Sequence, residues 1–130
     1  MTHPFELTAL QLQDRLDEMV ERRHGHRARY RELFAEVPGV SVFGEPSVAD
    51  GGATRDNCWL TSVLVDGPVA GFTSEDLRLA LAAADIEARP LWKPMHLQPV
   101  FAEREIVGGD VAGDLFERGL CLPSGSSLLP

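Results

Sequence analysis

The sequence has 130 residues, of which 44% are hydrophobic and 25% are charged, a balance typical of one globular domain. The formal net charge of −8 argues against a nucleic-acid-binding protein, because such proteins present a basic patch to the phosphates. No apolar run reaches the roughly 18 residues that a membrane span needs, and the first residues do not follow the pattern of a secretory signal. We therefore expect a cytoplasmic protein whose two cysteines, Cys58 and Cys121, remain thiols.

The first predicted element is a helix of nearly thirty residues. Thr8 and Gln11 have the spacing of a capping box at its start, and Pro38-Gly39 marks its end. Its apolar residues recur at mostly helical spacing, at Leu12, Leu16, Met19, Val20, Tyr30, Leu33, Phe34 and Val37. The centre, residues 21–29, is polar on all sides, so we expect it to stay outside the core of so small a domain. A missing domain or a second subunit should then cover part of the helix.

Two strands are predicted after this helix. Residues 40–43 form a short strand candidate, and residues 44–56 are a loop rich in Gly, Pro, Ser and Asp. Residues 58–65 are apolar on both faces, which indicates a strand in the middle of a sheet. We expect Trp59 to lie in the core, on the same face as Thr61 and Val63.

The second half of the chain alternates helices with short extended segments. The predicted segments are a helix opening at residues 72–76, a strand at 87–92, a helix at 111–118 with Gly119 as its glycine cap, an extended piece at 120–122 and a loose tail at 124–130. The resulting class is α/β of the α+β type. We expect a small sandwich with a long N-terminal helix and helices packed on one face of a short, mainly antiparallel sheet.

Residues 89–101 form the segment richest in possible chemistry. Its three prolines exclude a helix or a central strand and indicate a shaped loop, where binding residues are often found. Lys93 is the only lysine of the chain, and in this loop it is better suited to contact water or an anion than to act as a nucleophile. His96 either donates to a phosphate or sugar hydroxyl or bonds to backbone. Trp92 either stacks on a flat ring or belongs to the core.

The remaining candidates for chemistry are weaker. His24 and His26 lie two residues apart on a helix and so point in different directions, and no carboxylate or cysteine pattern completes a metal site. Ser124 lacks the strand–turn–helix setting of a nucleophilic serine. The residues predict neither a catalytic constellation nor a metal ligand.

Five segments occur in an order that resembles one enzyme family. They are residues 7–17, residues 29–40, Asn57-Cys58-Trp59, residues 89–101 and residues 120–125. Together they resemble the C-terminal part of the DegT/DnrJ/EryC1/StrS sugar aminotransferases, which use pyridoxal phosphate. The resemblance implies that residues 1–130 form one small C-terminal domain. The large domain, which carries the cofactor and the catalytic lysine in this family, is then expected to be absent.

The resemblance also implies a reaction, in which glutamate or glutamine gives its amino group to a keto sugar carried on a nucleotide. A 4-keto-6-deoxy-N-acetylhexosamine is the narrower expectation. Trp92, Lys93 and His96 are then substrate-binding residues. The chain alone is expected neither to bind pyridoxal phosphate nor to catalyse, and its partner is the cofactor domain, a second subunit or a second copy of itself.

The alternative is an autonomous, non-catalytic α/β ligand-binding or interaction module derived from that domain. Pro4 and Glu6 favour this alternative, because family members carry Asn and Arg at the matching positions.

Overall fold

The computed structural model describes residues 9–44 and 56–128. The predicted capping box at Thr8, the altered positions Pro4 and Glu6 and most of the predicted loop 44–56 lie outside the described residues. The elements are α1 (Ala9–Phe34), β1 (Val40–Val42), β2 (Thr61–Val65), α2 (Gly67–Ala70), α3 (Ser74–Ala83), β3 (Arg89–Pro90), α4 (Val111–Arg118) and β4 (Gly119–Leu122). Two short 3₁₀ turns, Met95–Leu97 and Pro99–Phe101, lie between β3 and α4.

The four strands form one antiparallel sheet in the order β1–β2–β4–β3. The last strand of the chain is therefore an inner strand, and all four of its residues are buried. Val63 of β2 faces Leu120 of β4 in the register, and the two side chains are 0% and 1% exposed. This central pair of strands forms the middle of the core.

Helices α1 and α3 supply the apolar side chains that cover this core. Tyr30 and Phe34 of α1 stack with ring centroids 6.5 Å apart, and both pack on the cluster formed by Val63, Leu120 and Leu122. Leu77 and Leu81 of α3 pack on the same cluster. The expected α+β architecture is confirmed, with its long N-terminal helix and antiparallel sheet.

The two halves of α1 differ in their contacts. Leu10, Leu12 and Leu16 in the first half are 71%, 52% and 54% exposed. The second half packs on the sheet, and its one buried residue is Arg27, which is 7% exposed. The expectation that the polar centre of this helix stays outside the core is therefore wrong at Arg27, because its Nη1 and Nη2 donate hydrogen bonds to Asp56 and to the Leu60 carbonyl, while its buried Nε has no partner among the described residues.

Two predicted strands are shorter than expected. The strand predicted from Cys58 begins at Thr61, because Cys58 has a φ of +50° and cannot continue an extended backbone. The strand predicted at residues 87–92 is reduced to Arg89–Pro90 at the sheet edge, where a proline that lacks an N–H group is tolerated. The helix predicted at 111–118 is confirmed, and so is the opening of α3, where Thr73 and Asp76 form a capping box.

Gly119 and Ser124 have roles other than those predicted. Gly119 is extended, with φ −91° and ψ 147°, so it is not a left-handed cap. Its role is to leave space, since a Cβ atom there would lie 2.1 Å from Leu91 Cδ1 and 2.5 Å from the Leu115 carbonyl oxygen. Ser124 is 4% exposed and so is not part of a loose tail. Its hydroxyl accepts a hydrogen bond from the Thr61 N–H at 2.8 Å and donates one to the Leu122 carbonyl at 2.7 Å.

No helix within residues 9–44 and 56–128 combines the length and the apolar character that crossing a membrane requires.

Candidate functional site

An open groove of about 970 Å³ lies beside the sheet. Its walls come from the second half of α1, the entry to β2, the segment around β3, and the end of β4 with the residues that follow. Most of its lining is apolar, and charged side chains stand among the apolar ones. The residues used below are His26, Arg29, Tyr30, Trp59, Asp85, Glu87, Arg89, Trp92, Pro123 and Ser124.

Two exposed tryptophans form one wall of the groove. Trp59 and Trp92 are 59% and 68% exposed, and their ring centroids are 6.2 Å apart with planes tilted by 42°. The prediction that Trp59 lies in the core is wrong. The left-handed backbone at Cys58 keeps the residues just before β2 out of the strand, so Trp59 does not follow its alternation. Exposed indole rings that contact each other offer a surface on which a flat, weakly polar ring can stack.

A partly buried ion pair ties the turn before β2 to helix α1. The guanidinium of Arg27 donates from Nη1 to Asp56 Oδ2 and from Nη2 to the Leu60 carbonyl oxygen, the latter at 2.9 Å. Asp56 Oδ1 accepts the Cys58 N–H at 2.8 Å. Partial burial alone would raise the pKa of Asp56. The hydrogen bonds from Arg27 and the Cys58 amide, with the charges of Arg27 and His24, outweigh burial and hold that pKa below its ordinary value.

Tyr30 and Ser124 fix the segment that forms the end of the groove. The Tyr30 hydroxyl donates a 2.8 Å hydrogen bond to the Pro123 carbonyl, and Ser124 is bonded to both β2 and β4 as described above. Burial raises the pKa of Tyr30 above its ordinary value, because the phenolate would lose its hydration. Tyr30 therefore remains a neutral hydrogen-bond donor and holds this wall in place.

The charges around the groove are mixed. Arg89 pairs with Glu87 at 2.6 Å, and both side chains are more than 70% exposed. Arg29 is exposed and has no hydrogen-bond or ion-pair partner among the described residues, while Asp85 contributes a further carboxylate. His26 Nε2 is buried and has no partner among the described residues. Together with the two tryptophans, these polar groups can bind a ligand that has both a flat ring and polar substituents.

The structure separates the three predicted substrate-binding residues. Trp92 lies in the groove, whereas Lys93 and His96 do not line it. Lys93 is exposed, and its carbonyl oxygen accepts a 3.4 Å hydrogen bond from Gln98 Nε2. His96 is half-buried in the first 3₁₀ turn.

The described residues include no lysine in the setting that a Schiff base with pyridoxal phosphate requires. A lysine that forms a Schiff base needs burial or neighbouring cations to lower its pKa. The side chain of Lys93 is exposed, and no ion pair of it is observed among the described residues.

The two histidines of α1 are not placed to bind a metal together. His24 Nε2 donates a 2.8 Å hydrogen bond to the Asp56 carbonyl oxygen, which further ties the turn to the helix. Within residues 9–44 and 56–128, no group of three or more His, Cys, Asp or Glu side chains is placed to hold a metal ion.

Several residues of this region are not evident in the sequence. Arg27 belongs to a run of six arginines between Arg15 and Arg31, and nothing local distinguishes it from the other five. Asp56-Asn57 is the one local signal, because Asp and Asn side chains often bond to backbone two residues on. Both do so here, since Asn57 Oδ1 accepts the Trp59 N–H at 3.0 Å.

The fold occurs in solved aminotransferases, where it forms a part of a longer chain. The aminotransferase TlmJ from Streptoalloteichus hindustanus superposes with a TM-score of 0.75 at 21% identity, over 93% of this chain and 30% of its own. DesV of S. venezuelae, solved in complex with a ketimine intermediate, superposes with a TM-score of 0.73 at 24% identity, over 92% of this chain and 30% of its own. At these identities the similarity establishes the fold alone.

The sequence comparison identifies the family. EpsN of Bacillus subtilis (strain 168), named as a pyridoxal phosphate-dependent aminotransferase, is 41% identical over 117 residues, which are 87% of this chain and 28% of EpsN. The profile of the DegT/DnrJ/EryC1/StrS aminotransferase family matches residues 7–130, and the chain belongs to that family. Its enzymes are sugar aminotransferases that use pyridoxal phosphate. The chain spans about 30% of the length of these relatives.

Proposed function

We propose that this chain is the small C-terminal domain of a pyridoxal phosphate-dependent nucleotide-sugar aminotransferase and does not transfer amino groups by itself. The observation that carries the proposal is that the family profile matches residues 7–130 of this chain, whereas the alignment with EpsN covers only 28% of EpsN. The exposed setting of Lys93 supports the second part, because the Schiff-base lysine would then come from another domain or subunit.

The proposed substrate is a keto sugar carried on a nucleotide, with a 4-keto-6-deoxy-N-acetylhexosamine as the narrower candidate and glutamate or glutamine as the amino donor. Trp92, Lys93 and His96 would contact it. All three lie within one short loop, and no intramolecular hydrogen bond or ion pair of the Lys93 and His96 side chains is observed among the described residues. Trp92 adds a flat surface in the groove, which Lys93 and His96 do not line.

The proposed partner is a cofactor-binding domain or a second subunit, and a homodimer is the alternative. The exposed leucines of the first half of α1 support a partner, because three large apolar side chains on one helix segment are costly to leave in water. The charge and size of the chain are consistent with cytoplasmic metabolism of sugar nucleotides, which we propose as its setting.

The first test is a titration of the purified chain with pyridoxal phosphate, followed by visible absorbance, with Lys93→Ala as the control. We expect no saturable band in either protein and no amino transfer from glutamate to a nucleotide-linked keto sugar. A saturable band that is lost in Lys93→Ala would assign the cofactor to this chain and overturn the proposal.

A chimera tests the positive part of the proposal. Residues 7–130 replace the matching C-terminal part of a family enzyme of known substrate, and amino transfer is measured. We expect activity to be retained, and His96→Ala or Lys93→Ala to raise KM more than the matched loop variant Arg104→Ala. A folded chimera that is inactive, or equal effects of all three variants, would contradict the proposed role of the loop.

An autonomous, non-catalytic ligand-binding module is the second candidate function. The groove favours it, because a cavity of about 970 Å³ with an aromatic wall is present in this chain without any other domain. A chimera that fails, combined with direct binding of a sugar nucleotide to the isolated chain, would favour this alternative.

A further inference from the structure

The segment that carries Trp59 has an unusual backbone. Cys58 adopts a left-handed conformation with φ +50°, although it is not a glycine, and it is 3% exposed. Such a conformation persists only where the surrounding contacts impose it. The direction in which Trp59 leaves the chain therefore depends on whatever holds this turn.

Among the contacts that hold the turn, one ion pair acts on both sides of Trp59, and the bonds of His24 to the Asp56 carbonyl and of the Trp59 N–H to Asn57 Oδ1 add to it. Asp56 receives Arg27 on one carboxylate oxygen and the Cys58 amide on the other, so its carboxylate joins helix α1 to the left-handed residue. The same guanidinium donates to the Leu60 carbonyl at 2.9 Å. Residues 56 and 60 are thereby fixed to α1 on either side of Trp59.

Side-chain packing does not fix Trp59 in the same way. Its ring is 59% exposed, and the ring contact found for it among the described residues is with Trp92, which is itself 68% exposed. Two rings that are both largely in water restrain each other weakly. Their relative geometry must therefore depend on the backbone that carries each of them.

We propose that Asp56, held by Arg27, is a positioning residue that sets the Trp59–Trp92 pair and thus the aromatic wall of the groove. It touches no ligand in this role and acts through the backbone of residues 56–60. This inference concerns the groove itself and holds whether the chain belongs to an enzyme or acts as a separate module.

The pair supplies its own spectroscopic signal. Trp59 and Trp92 are the only tryptophans of the chain, so coupling between their transitions appears as a paired band of opposite sign in circular dichroism. Trp59→Phe and Trp92→Phe should each abolish that band, which assigns it to the pair. Asp56→Asn should reduce its amplitude at least twofold while helical circular dichroism and cooperative unfolding are retained.

A matched control separates positioning from general loss of charge. Glu18→Gln breaks the ion pair of Glu18 with Arg22, which lies on the same helix but is exposed, and it should leave the paired band unchanged. An Asp56→Asn protein that is folded and has the wild-type band would overturn the proposal.

A second variant covers the case in which Asp56→Asn does not fold. Arg27→Lys keeps a positive charge near Asp56, but its single ammonium nitrogen does not reproduce the fork in which two guanidinium nitrogens donate separately to Asp56 and the Leu60 carbonyl, so the band should again fall at least twofold in a folded protein. If Arg27→Lys folds and has the wild-type band, the proposal is wrong. It is also wrong if neither variant folds, because the ion pair would then be a requirement of the fold rather than of the aromatic pair.

Discussion

The sheet core and the groove wall are both built from large apolar side chains, but the chain covers only the first. Val63 and Leu120 are at most 1% exposed under α1 and α3. Trp59, just before β2, and Trp92, just after β3, are each more than half exposed. The core is held by packing of side chains on side chains. The groove wall is held by hydrogen bonds to backbone, from Arg27, Asp56, Tyr30 and Ser124. A surface built in this way keeps its shape while its apolar faces remain available.

The largest effect is expected in the core. Leu120→Ala removes a fully buried side chain between β2 and α3, and it should lower the free energy of unfolding by about 3 kcal/mol. Denaturant unfolding at neutral pH measures this loss. A loss of stability no larger than that from substituting an exposed residue would mean that side-chain packing does not hold the core.

Gly119→Ala should have the next largest effect. The added Cβ would meet Leu91 and the Leu115 carbonyl well inside contact distance, and the backbone atom cannot move aside as a side chain can. We expect a loss of about 2 kcal/mol, measured by the same unfolding experiment. Gly113→Ala is the matched control, because its nearest neighbour would be 3.9 Å away, and a similar loss in both would contradict a steric cause.

A smaller effect is expected when the turn beneath the groove is titrated. The pKa of Asp56 is lower in the folded protein than in the unfolded chain, so its contribution to stability is present above the unfolded pKa, near about 4, and is lost as the pH falls through the folded value. The stability difference between wild type and Asp56→Asn should therefore shrink as the pH is lowered from about 6 to about 3.

Salt provides the control for this titration. Asp114 and Arg118 form an ion pair on the surface. High salt should therefore weaken the contribution of this pair to stability more than the contribution of the partly buried Arg27–Asp56 pair. A difference between wild type and Asp56→Asn that does not depend on pH would contradict the assignment.

The smallest effect is expected in the first half of α1. Leu16→Gln replaces a side chain that is 54% exposed with one of similar helix propensity, so stability should change by less than about 0.5 kcal/mol. Sedimentation of the same variant tests whether the exposed first half of α1 is a contact surface. If the wild-type chain self-associates through this helix, Leu16→Gln should weaken the association without destabilising the monomer.

The sequence predicts those elements whose signals are local. The opening of α3, the bounds of α4 and the alternation of residues 61–65 are each encoded by a few neighbouring residues, and each is confirmed. The burial of Arg27, the exposure of Trp59 and the anchoring of Ser124 are different. Arg27 bonds to partners 29 and 33 positions away, Ser124 bonds to one 63 positions away, and Trp59 lies beside Trp92; no local pattern records these pairings.

The loop that carries the predicted substrate-binding residues illustrates the same limit. Its prolines predict an irregular loop, and two 3₁₀ turns are found there. Trp92 faces a groove while Lys93 and His96 lie outside it, and no local pattern of the sequence distinguishes the three in this way. The roles of these three residues remain a prediction.

The direct junction of α4 and β4 has a consequence for how this fold tolerates changes in chain length. The helix ends at Arg118 and an inner strand of the sheet begins at Gly119, so no connecting residue can absorb an insertion or deletion. One added residue at this junction would turn every side chain of β4 to the opposite face. Residues 102–110, all exposed, provide slack on the other side of α4. Length variation among homologues should therefore accumulate before this helix and be absent after it.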